Sequence, residues 1–296
     1  MKTSIEKKLR RLHLPDDLHL PDVLKTDLIA PLHRRRKGSA AVVAGGVVVG
    51  GAAAVAAYAF FVRPWHLRWG TTAEEASKAL PGDDLVAAPQ VNVTRARTIA
   101  APPEQVWPWL VQLGQDRGGF YSYDWLENVI GADIHNADRI VPAFQQLAVG
   151  DSVRLASQAR YGDDAVMKVA WIEPNRVLVL RAPQGALVGG RPFDFTWTFV
   201  LEPLGDGRTR LLVRSRYAYG PGLRAGLANR VFLEPIHFVM ERRMLLGIQA
   251  RAEAAREVTV QAEEQQEPAA LAAEPVREHN GHTRRGRKTA PPEIEA

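Results

Sequence analysis

The sequence FDFTWTFVLE at residues 193–202 and the sequence RTRLLVRSRYAY at residues 208–219 decide the fold of this chain. Both segments are rich in β-branched and aromatic residues, and Gly205-Asp206-Gly207 lies between them. Two such runs joined by a short glycine-containing loop are typical of a β-hairpin. The hairpin predicts an antiparallel sheet in the second half of the chain.

Alternate residues of a strand point to the same face of a sheet. Phe195 and Trp197 therefore share one face of the first strand, where we expect them in the core or in a cavity wall. Arg214 and Arg216 share one face of the second strand. Facing a cavity, these arginines would hold a ligand carboxylate or phosphate; facing solvent, they are ordinary surface residues.

Further strands and helices are predicted on either side of the hairpin. Val91–Ile99 alternates as a strand, and Pro102-Pro103-Glu104 opens a helix that extends to Val111, with proline where a first turn tolerates it. Ser122 is placed to cap a second helix, and Arg230–Arg256 has the pattern of a long one. The other strand-like runs are Ser152–Ala156, Val166–Ile172 and Arg176–Arg181. This order is typical of an α+β fold with helices packed on an antiparallel sheet.

Four motifs give the sequence a resemblance to a known family. They are APPEQVW at residues 101–107, GFYSYDWLEN at 119–128, HNADRI at 135–140 and EPIHFVME at 234–241. In these motifs the chain resembles the SRPBCC superfamily of START-like and polyketide cyclase/dehydrase-like helix-grip domains, and in particular a membrane-anchored actinobacterial subgroup. The resemblance covers roughly residues 69–252.

The resemblance implies a curved antiparallel sheet of six to seven strands that grips a long C-terminal helix. It also implies an apolar cavity between sheet and helix, in which a hydrophobic or amphipathic small molecule, such as a lipid, would bind. Because one fold serves many functions, two alternatives remain open: a cyclase/dehydrase-like enzyme with acid–base residues in the cavity, and a non-enzymatic protein-interaction module.

The aromatic motif supplies the first group of candidate site residues. Tyr121, Tyr123, Asp124 and Trp125 would line the mouth of the cavity, with the carboxylate orienting a polar group of the ligand. The alternative is that the aromatic residues belong to the core and that the acidic residues favour the start of a helix.

Three residues are candidates for catalysis under the enzymatic alternative. His135 could act as a base oriented by Asp138, and Tyr123 could take an acid–base role. The competing interpretation of residues 135–139 is a turn held by hydrogen bonds of its asparagine and aspartate side chains to their own backbone. No nucleophile or set of metal ligands accompanies this group.

A polar stripe on the predicted C-terminal helix supplies the last candidates. Arg230, Glu234, His237 and Glu241 recur on one narrow face, which is either polar cavity lining or a solvated face with pairs inside the helix. His237 and Glu241 are the ligand-binding candidates of this stripe. Two possible ligands one turn apart do not make a metal site without a third, and the sequence implies no cofactor.

The apolar run Ser39–Val62 predicts a transmembrane helix. It contains no charged residue, and as a helix it would reach about 36 Å, enough to cross a hydrocarbon core of about 30 Å.

Basic residues are more frequent before the run than after it, which predicts a cytoplasmic N-terminus and the main domain outside. The same basic residues (Arg34, Arg35, Arg36 and Lys37) are suited to anionic lipid headgroups. Gly46 and Gly50 have the spacing that allows two helices to approach closely, which is a hypothesis of self-association.

Charge and composition complete the predicted organisation of the chain. Residues 1–38 carry a net charge of +5 and form a basic leader, whereas residues 257–296 carry −3 and lack apolar periodicity, as disordered tails do. The basic excess thus belongs to the juxtamembrane leader, and no motif for nucleic-acid binding is present. The chain has no cysteine, which excludes disulfides and thiol catalysis. Residues 65–256 remain for one ligand-binding domain.

Overall fold

The computed structural model describes residues 53, 55–188, 191–219, 226–227 and 229–273, with side chains as far as residue 259. The chain divides into two units between Phe60 and Phe61. Of the first unit, only residue 53 and residues 55–60 are described, and these are helical. Among the described residues, no helix is both long enough and apolar enough to cross a membrane. Most of the predicted transmembrane run, the basic leader, the glycine pair and most of the tail lie outside the described residues.

The second unit contains a seven-stranded antiparallel sheet. The strands are β1 (Val91–Ile99), β2 (Ser152–Arg154), β3 (Val166–Glu173), β4 (Val177–Arg181), β5 (Leu187–Val188), β6 (Arg191–Leu204) and β7 (Arg208–Tyr219). Their spatial order is β1-β7-β6-β4-β3-β2, and β5 pairs with β6. The predicted hairpin is the centre of this sheet, because β6 and β7 pair along twelve residues from Phe193 to Leu204.

Helices lie before, between and after the strands. They are α1 (Arg63–Leu67), α2 (Ala73–Ser77), α3 (Pro103–Val111), α4 (Asp124–Val129), α5 (Gln158–Tyr161) and α6 (Glu234–Ala273). Short 3₁₀ helices span Asp83–Val86 and Pro142–Phe144, and π-helical turns span Tyr58–Val62 and Asn229–Leu233. The predicted α+β class and the helix-grip arrangement of sheet and long C-terminal helix are confirmed.

The main core lies between α6, α3 and one face of the sheet, here called the inner face. Leu245, Ile248 and Ala252 of α6 are fully buried there, as are Phe199 and Val213 of the central hairpin. These α6 residues recur every three or four positions, as expected for the buried stripe of an amphipathic helix. Burial of this stripe fixes α6 across the inner face.

The opposite, outer face of the sheet is covered by residues 70–90, here called the strap. Leu80 of the strap packs on Ala96, Val200 and Leu212, which point outward from β1, β6 and β7. The strap begins with a capping box, since the Thr72 side chain accepts from the Glu75 amide and the Glu75 carboxylate accepts from the Thr72 amide. Sequence reasoning had assigned no element to this segment.

A close approach of backbone to backbone sets the position of α6 next to α4. Gly247 packs against Tyr121, and a Cβ atom at position 247 would lie 2.3 Å from the Tyr121 carbonyl oxygen. Tyr121 itself has a φ of 56°, and its amide donates to Asn136 Oδ1 at 2.6 Å. Asn136 also donates to the Ser122 carbonyl oxygen at 3.1 Å. The 119–122 turn is therefore held rigidly between α3 and α6.

One detail of the predicted elements was wrong. Ser122 does not cap α4, because its hydroxyl donates to the carbonyl oxygen of Met240 at 2.9 Å and Tyr123 occupies the N-cap position without a side-chain bond. The sheet has seven strands, within the expected six to seven, and the strand that the residue pattern did not reveal is β5, which has only two residues and therefore shows no alternation. The bounds of β1 agree with the prediction, as does the full span of β7.

Candidate functional site

A cavity of about 490 Å³ lies between the inner face of the sheet, α4 and the first part of α6. Its walls are mainly apolar, and only a few polar side chains reach it. The lining residues are Phe120, Ser122, Leu126, Glu127, Ile130, Leu155, Phe195, Trp197, Leu233, Ile236, His237, Met240, Glu241 and Met244. This composition is typical of sites for small hydrophobic ligands.

Aromatic rings of the sheet form one wall of the cavity. Phe195 and Trp197 alternate on β6, so both point inward, and their ring centroids lie 6.5 Å apart in a stacked arrangement. The Phe120 ring lies 6.0 Å from that of Trp197 and extends this wall towards α4. Rings packed on one another lose little rotamer freedom on binding, so the wall is preformed.

One face of α6 forms the opposite wall. Leu233, the residue directly before α6, and His237, Met240 and Met244 of α6 follow the helical repeat, so their side chains lie above one another along the cavity. Methionine is unbranched and polarisable, and it adapts to ligands of different shape. The α6 wall can therefore yield to a ligand while the aromatic wall of β6 cannot.

Glu241 forms the polar end of the cavity and is only 2 % exposed. Its carboxylate accepts hydrogen bonds from the Arg95 guanidinium, from Trp197 Nε1 at 2.9 Å and from the Ser215 hydroxyl at 3.3 Å. Burial alone would raise the pKa of Glu241, but Arg95, His237 and these donors hold it below its usual value. Glu241 is therefore ionised and fully engaged at neutral pH.

Arg95, which supplies this counter-charge, comes from β1 and is fully buried. Its Nε donates to the carbonyl oxygen of His66 at 2.9 Å, and its guanidinium lies 5.2 Å from the centroid of the Phe238 ring. Arg95 Nη2 is buried without a hydrogen-bond partner among the described residues. Arg95 thus lies behind Glu241 and does not line the cavity.

His237 completes this polar cluster, with 29 % of its side chain exposed. Its Nδ1 lies 3.3 Å from Arg95 Nη1, and its Nε2 lies 3.5 Å from Glu241 Oε1. Because a guanidinium can only donate, Nδ1 must accept, which assigns the ring proton to Nε2, facing Glu241. Burial lowers the pKa of His237, so the ring is neutral at pH 7.

Glu127 of α4 brings a second carboxyl group to the cavity. Its Oε2 is buried, and no described residue offers it a hydrogen bond. Burial, together with the neighbouring charge of Asp124, raises the pKa of Glu127 to about 7. A buried oxygen without a partner is costly in the empty protein, and a ligand that donates to it would remove that cost.

Of the ligand-binding residues predicted from sequence, Trp197, His237 and Glu241 line the cavity. Tyr121 does not: it is 1 % exposed and belongs to the core behind the cavity wall. Its hydroxyl accepts from Gln112 Nε2 at 2.9 Å and donates to the Trp109 carbonyl oxygen at 3.2 Å. Burial raises the pKa of Tyr121 to about 12, so this tyrosine does not titrate near neutral pH.

Tyr123, Asp124 and Trp125 lie at the start of α4, outside the cavity lining. The Tyr123 ring lies 5.7 Å from the Arg243 guanidinium and 6.5 Å from the Trp125 ring. Trp125 is 64 % exposed, and Asp124 accepts from the Trp125 amide at 2.8 Å. The cavity receives Leu126 and Glu127 from this helix instead.

Arg214 and Arg216 lie on the outer face of the sheet and do not reach the cavity. Arg214 is 2 % exposed and binds the strap through Asp83, at 2.7 Å, and through backbone carbonyls. Arg216 donates to the carbonyl oxygen of Val86 at 3.0 Å. Their partners are therefore parts of this chain, not a ligand carboxylate or phosphate.

His135 and Asp138 lie on an exposed loop away from the cavity. The His135 side chain is 80 % exposed and pairs with Asp133 at 3.2 Å. The Asp138 side chain is 93 % exposed and pairs with Arg251 at 2.9 Å. The two residues do not contact each other, and the structure places neither beside the groups that line the cavity.

Sequence reasoning did not commit to Glu127, Ser122 or Arg95 as site residues. Glu127 was weighed with the aromatic motif, either as a carboxylate at the cavity mouth or as part of the acidic start of a helix, and its direction depends on how a six-residue helix is rotated. Arg95 gave no signal, because one arginine in an alternating strand does not reveal a buried partner 146 residues away. Among the described residues, no three His, Asp or Glu side chains come together as a metal site would require.

No protein-family model matches this sequence. No curated protein gives a significant match either. Solved structures similar to this chain include an aromatase/cyclase from a Streptomyces species, at 17% identity and a TM-score of 0.33, covering 55% of this chain and 93% of that one. A Polyketide_cyc-like protein from Corynebacterium glutamicum matches at 19% identity and a TM-score of 0.27, covering 58% and 94%. A conserved protein from Geobacillus kaustophilus matches at 14% identity and a TM-score of 0.35, covering 56% and 97%.

Proposed function

We propose that this chain is a membrane-anchored protein that binds a hydrophobic or amphipathic small molecule in the cavity between sheet and α6. The observation that carries the proposal is the cavity itself, about 490 Å³ in volume and lined mainly by aromatic, aliphatic and methionine side chains. Its volume lies within the usual range of small-molecule sites. The polar side chains of the lining are Ser122, Glu127, His237 and Glu241, so the polar end of the ligand would lie against this set.

An apolar rim around the cavity supports binding next to a membrane. Ile130, Leu233 and Ile236 line the cavity and are nevertheless 58%, 59% and 55% exposed. Phe232, which is 64% exposed, and Val239, which is 46% exposed, extend this surface along the same helix. Several large apolar side chains grouped at one opening are unusual for a surface that faces only water. A bilayer against this rim would give a poorly soluble ligand a direct path into the cavity.

The position of the apolar run Ser39–Val62 supports the same arrangement. The run ends at Val62, and Arg63 is the next residue. The Arg63 guanidinium binds the buried carboxylate of Glu234 with two hydrogen bonds of 2.7 and 2.9 Å. Glu234 begins α6 and follows Leu233 of the rim directly. If the run spans the bilayer, this ion pair joins the first residue after the run to the start of α6.

The proposal is tested by photolabelling of the full chain in lipid nanodiscs. A long-chain alcohol that carries a diazirine group is added in increasing amounts, and labelled peptides are identified by mass spectrometry. We expect saturable labelling of the peptides that contain Phe195–Trp197 and Met240–Met244. Leu126→Trp, which fills the cavity, should abolish this labelling, and Val149→Trp at an exposed position should not. Labelling that is confined to the rim, or that never saturates, would overturn the proposal.

A second candidate function is acid–base catalysis on the bound molecule. It is favoured by one observation, the pKa of Glu127 near 7 inside the cavity, which suits proton transfer at neutral pH. The mass of ligand recovered from nanodiscs distinguishes the two functions. A carrier returns the added molecule unchanged, whereas an enzyme returns a product that Glu127→Gln no longer forms.

A further inference from the structure

We propose that the cavity selects amphiphiles whose head group donates a hydrogen bond, a hydroxyl or an amine, and rejects anionic head groups. This inference rests on the proposed function, since it names the chemistry of the molecule that the cavity would hold. It follows from which polar atoms around the cavity already have partners and which do not.

Two of the three side-chain polar hydrogens that the cavity lining offers are already hydrogen-bonded within the protein, and the third faces a carboxylate. The Ser122 hydroxyl donates to the Met240 carbonyl oxygen at 2.9 Å, and Trp197 Nε1 donates to Glu241 at 2.9 Å. The Nε2 proton of His237 faces Glu241 Oε1 at 3.5 Å. A ligand that needs donors, as a carboxylate, sulfate or phosphate does, would have to break one of these contacts.

The unfilled capacity of the lining is an acceptor. Glu127 Oε2 is buried at the cavity and has no partner in the described part of the chain. Whether the carboxyl is protonated or ionised, it retains an oxygen that accepts a hydrogen bond. A ligand hydroxyl or amine placed at the α4 side of the cavity would satisfy it.

The charges around the cavity point in the same direction. The lining contains two carboxyl groups, Glu127 and Glu241, and no lysine or arginine. Arg95 balances Glu241 from behind, under the ring of Phe238, and does not line the cavity. An anionic head group would meet like charge without a facing cation, and in an apolar cavity this repulsion is poorly screened.

The groups that face Glu127 determine how the selection changes with pH. Asp124 lies on the same helix and favours the protonated form, while His237 and Glu241 line the cavity from α6. Below pH 7 a protonated Glu127 can also donate, which would relax the rejection of anions. The discrimination should therefore be strongest near pH 8, where Glu127 is mostly ionised.

Four competitors with the same ten-carbon chain test this selection in the photolabelling experiment at pH 8. They are 1-decanol, decylamine, decyl methyl ether and decyl sulfate. Each is titrated over the same range of concentrations in the nanodisc bilayer. The ether removes only the donor, and the sulfate adds a negative charge. We expect the alcohol and the amine to displace the probe at about tenfold lower concentration than the ether or the sulfate, the difference that one buried hydrogen bond makes.

The variant Glu127→Leu separates the role of this carboxyl from general apolar binding. It should still be labelled, but the alcohol should lose its advantage over the ether. Glu104→Leu, at an exposed position on α3, should keep that advantage. The wild-type comparison needs no variant, so a misfolded Glu127→Leu would leave the test intact.

The outcomes distinguish this inference from the function on which it rests. Equal displacement by all four competitors, or the strongest displacement by decyl sulfate, would overturn the selection while saturable binding remained. A complete lack of saturable labelling with the alcohol probe would overturn the proposed function itself.

Discussion

Two buried arginines on opposite faces of the same sheet show how differently one residue type can be used. Arg214 on the outer face and Arg95 on the inner face are 2% and 0% exposed. Arg214 donates from all three nitrogens: Nε to Thr94, Nη1 to Lys78 and Asp83, and Nη2 to two strap carbonyls. Arg95 donates from two nitrogens and leaves Nη2 without a partner in the described structure.

The difference lies in how completely each guanidinium is paired. Arg214 is fully bonded to β1 and the strap, as expected of a side chain that closes the fold, although Asp83 Oδ1 and Arg181 Nε on this side are also buried without a hydrogen-bond partner in the described structure. On the inner side, Arg95 Nη2 behind the cavity wall and Glu127 Oε2 at the cavity are left unpaired, at a cost in stability. Glu127 belongs to the cavity lining, where a ligand can complete it, and this contrast can be tested by substitution.

The largest expected effect is on the outer face, from Arg214→Leu. The substitution leaves Asp83 and several strap carbonyls without their donor, and breaking such a buried network costs roughly 3–5 kcal/mol. The free energy of unfolding, from denaturant titration of the full chain, measures this cost. Arg208→Leu removes a surface pair that is about half exposed, and the expected loss is below about 1 kcal/mol. Equal losses in the two variants would contradict the structural role of Arg214.

A smaller effect is expected on the inner face, from Glu241→Gln. The amide oxygen still accepts from Trp197, but the positive charge of Arg95 loses its buried counter-charge. Because the amide keeps an accepting oxygen, we expect a loss of about 3 kcal/mol in the free energy of unfolding, at the lower end of the cost of breaking a buried ion pair, together with weaker photolabelling of the Met240–Met244 peptide. Glu257→Gln, at an exposed position of α6, is the control. An unchanged labelling pattern would show that Glu241 has no part in the site.

The next effect is a pH dependence that belongs to Glu127. Its folded pKa, about 7, lies above the ordinary value of 4.5, so the folded state holds the proton more tightly and stability is lost as pH rises through this window. Between pH 5 and 8 the wild type should lose on the order of 2–3 kcal/mol relative to Glu127→Gln.

Thermal unfolding of both proteins across this pH range measures the difference. His237, whose pKa is lowered, contributes with the opposite sign, since its part of the stability is lost as pH falls below 6.5. This contribution is present in both proteins and cancels in the comparison. Parallel curves for wild type and Glu127→Gln would show that Glu127 does not titrate in the cavity.

The smallest effect on stability is expected at the rim, from Phe232→Ser. The side chain is 64% exposed, so the free energy of unfolding should change by less than about 0.5 kcal/mol. Labelling of residues 231–239 by a diazirine-bearing phospholipid in the nanodisc should nevertheless decrease. Val149→Ser, equally exposed on another surface, should leave that labelling unchanged. Undiminished lipid labelling in Phe232→Ser would contradict contact between the rim and the membrane.

The sheet could be predicted from the sequence because its signals are local. The alternation of Val91–Ile99 and the glycine-containing loop of the central hairpin define β1 and β7 to the residue and β6 to within two residues at each end. The strap could not be predicted in the same way, because its elements are four or five residues long and take their stability from the sheet beneath them. Its capping box, Thr72 with Glu75, was the one local signal available.

The site was predictable only in part, because the direction of a side chain depends on distant partners. Trp197, His237 and Glu241 were selected, and they line the cavity. Arg214 was placed in the site although the pairing of the hairpin sets it opposite Thr198, on the face away from Trp197. Counting residue pairs back from the turn at Gly205–Gly207 shows from the sequence that Arg214 and Trp197 lie on opposite faces of the hairpin. Nothing in the sequence indicates that Glu127 remains without a partner.

The bidentate pair of Arg63 and Glu234 has a mechanical consequence. A pull on the chain at residue 63 is transmitted directly to the start of α6 through this pair, and to β1 through the bond from Arg95 to the His66 carbonyl oxygen. Tension from the preceding segment would thus act on the helix that carries Ile236 and His237. The cavity mouth is one of the parts of the domain that such a force would reach directly.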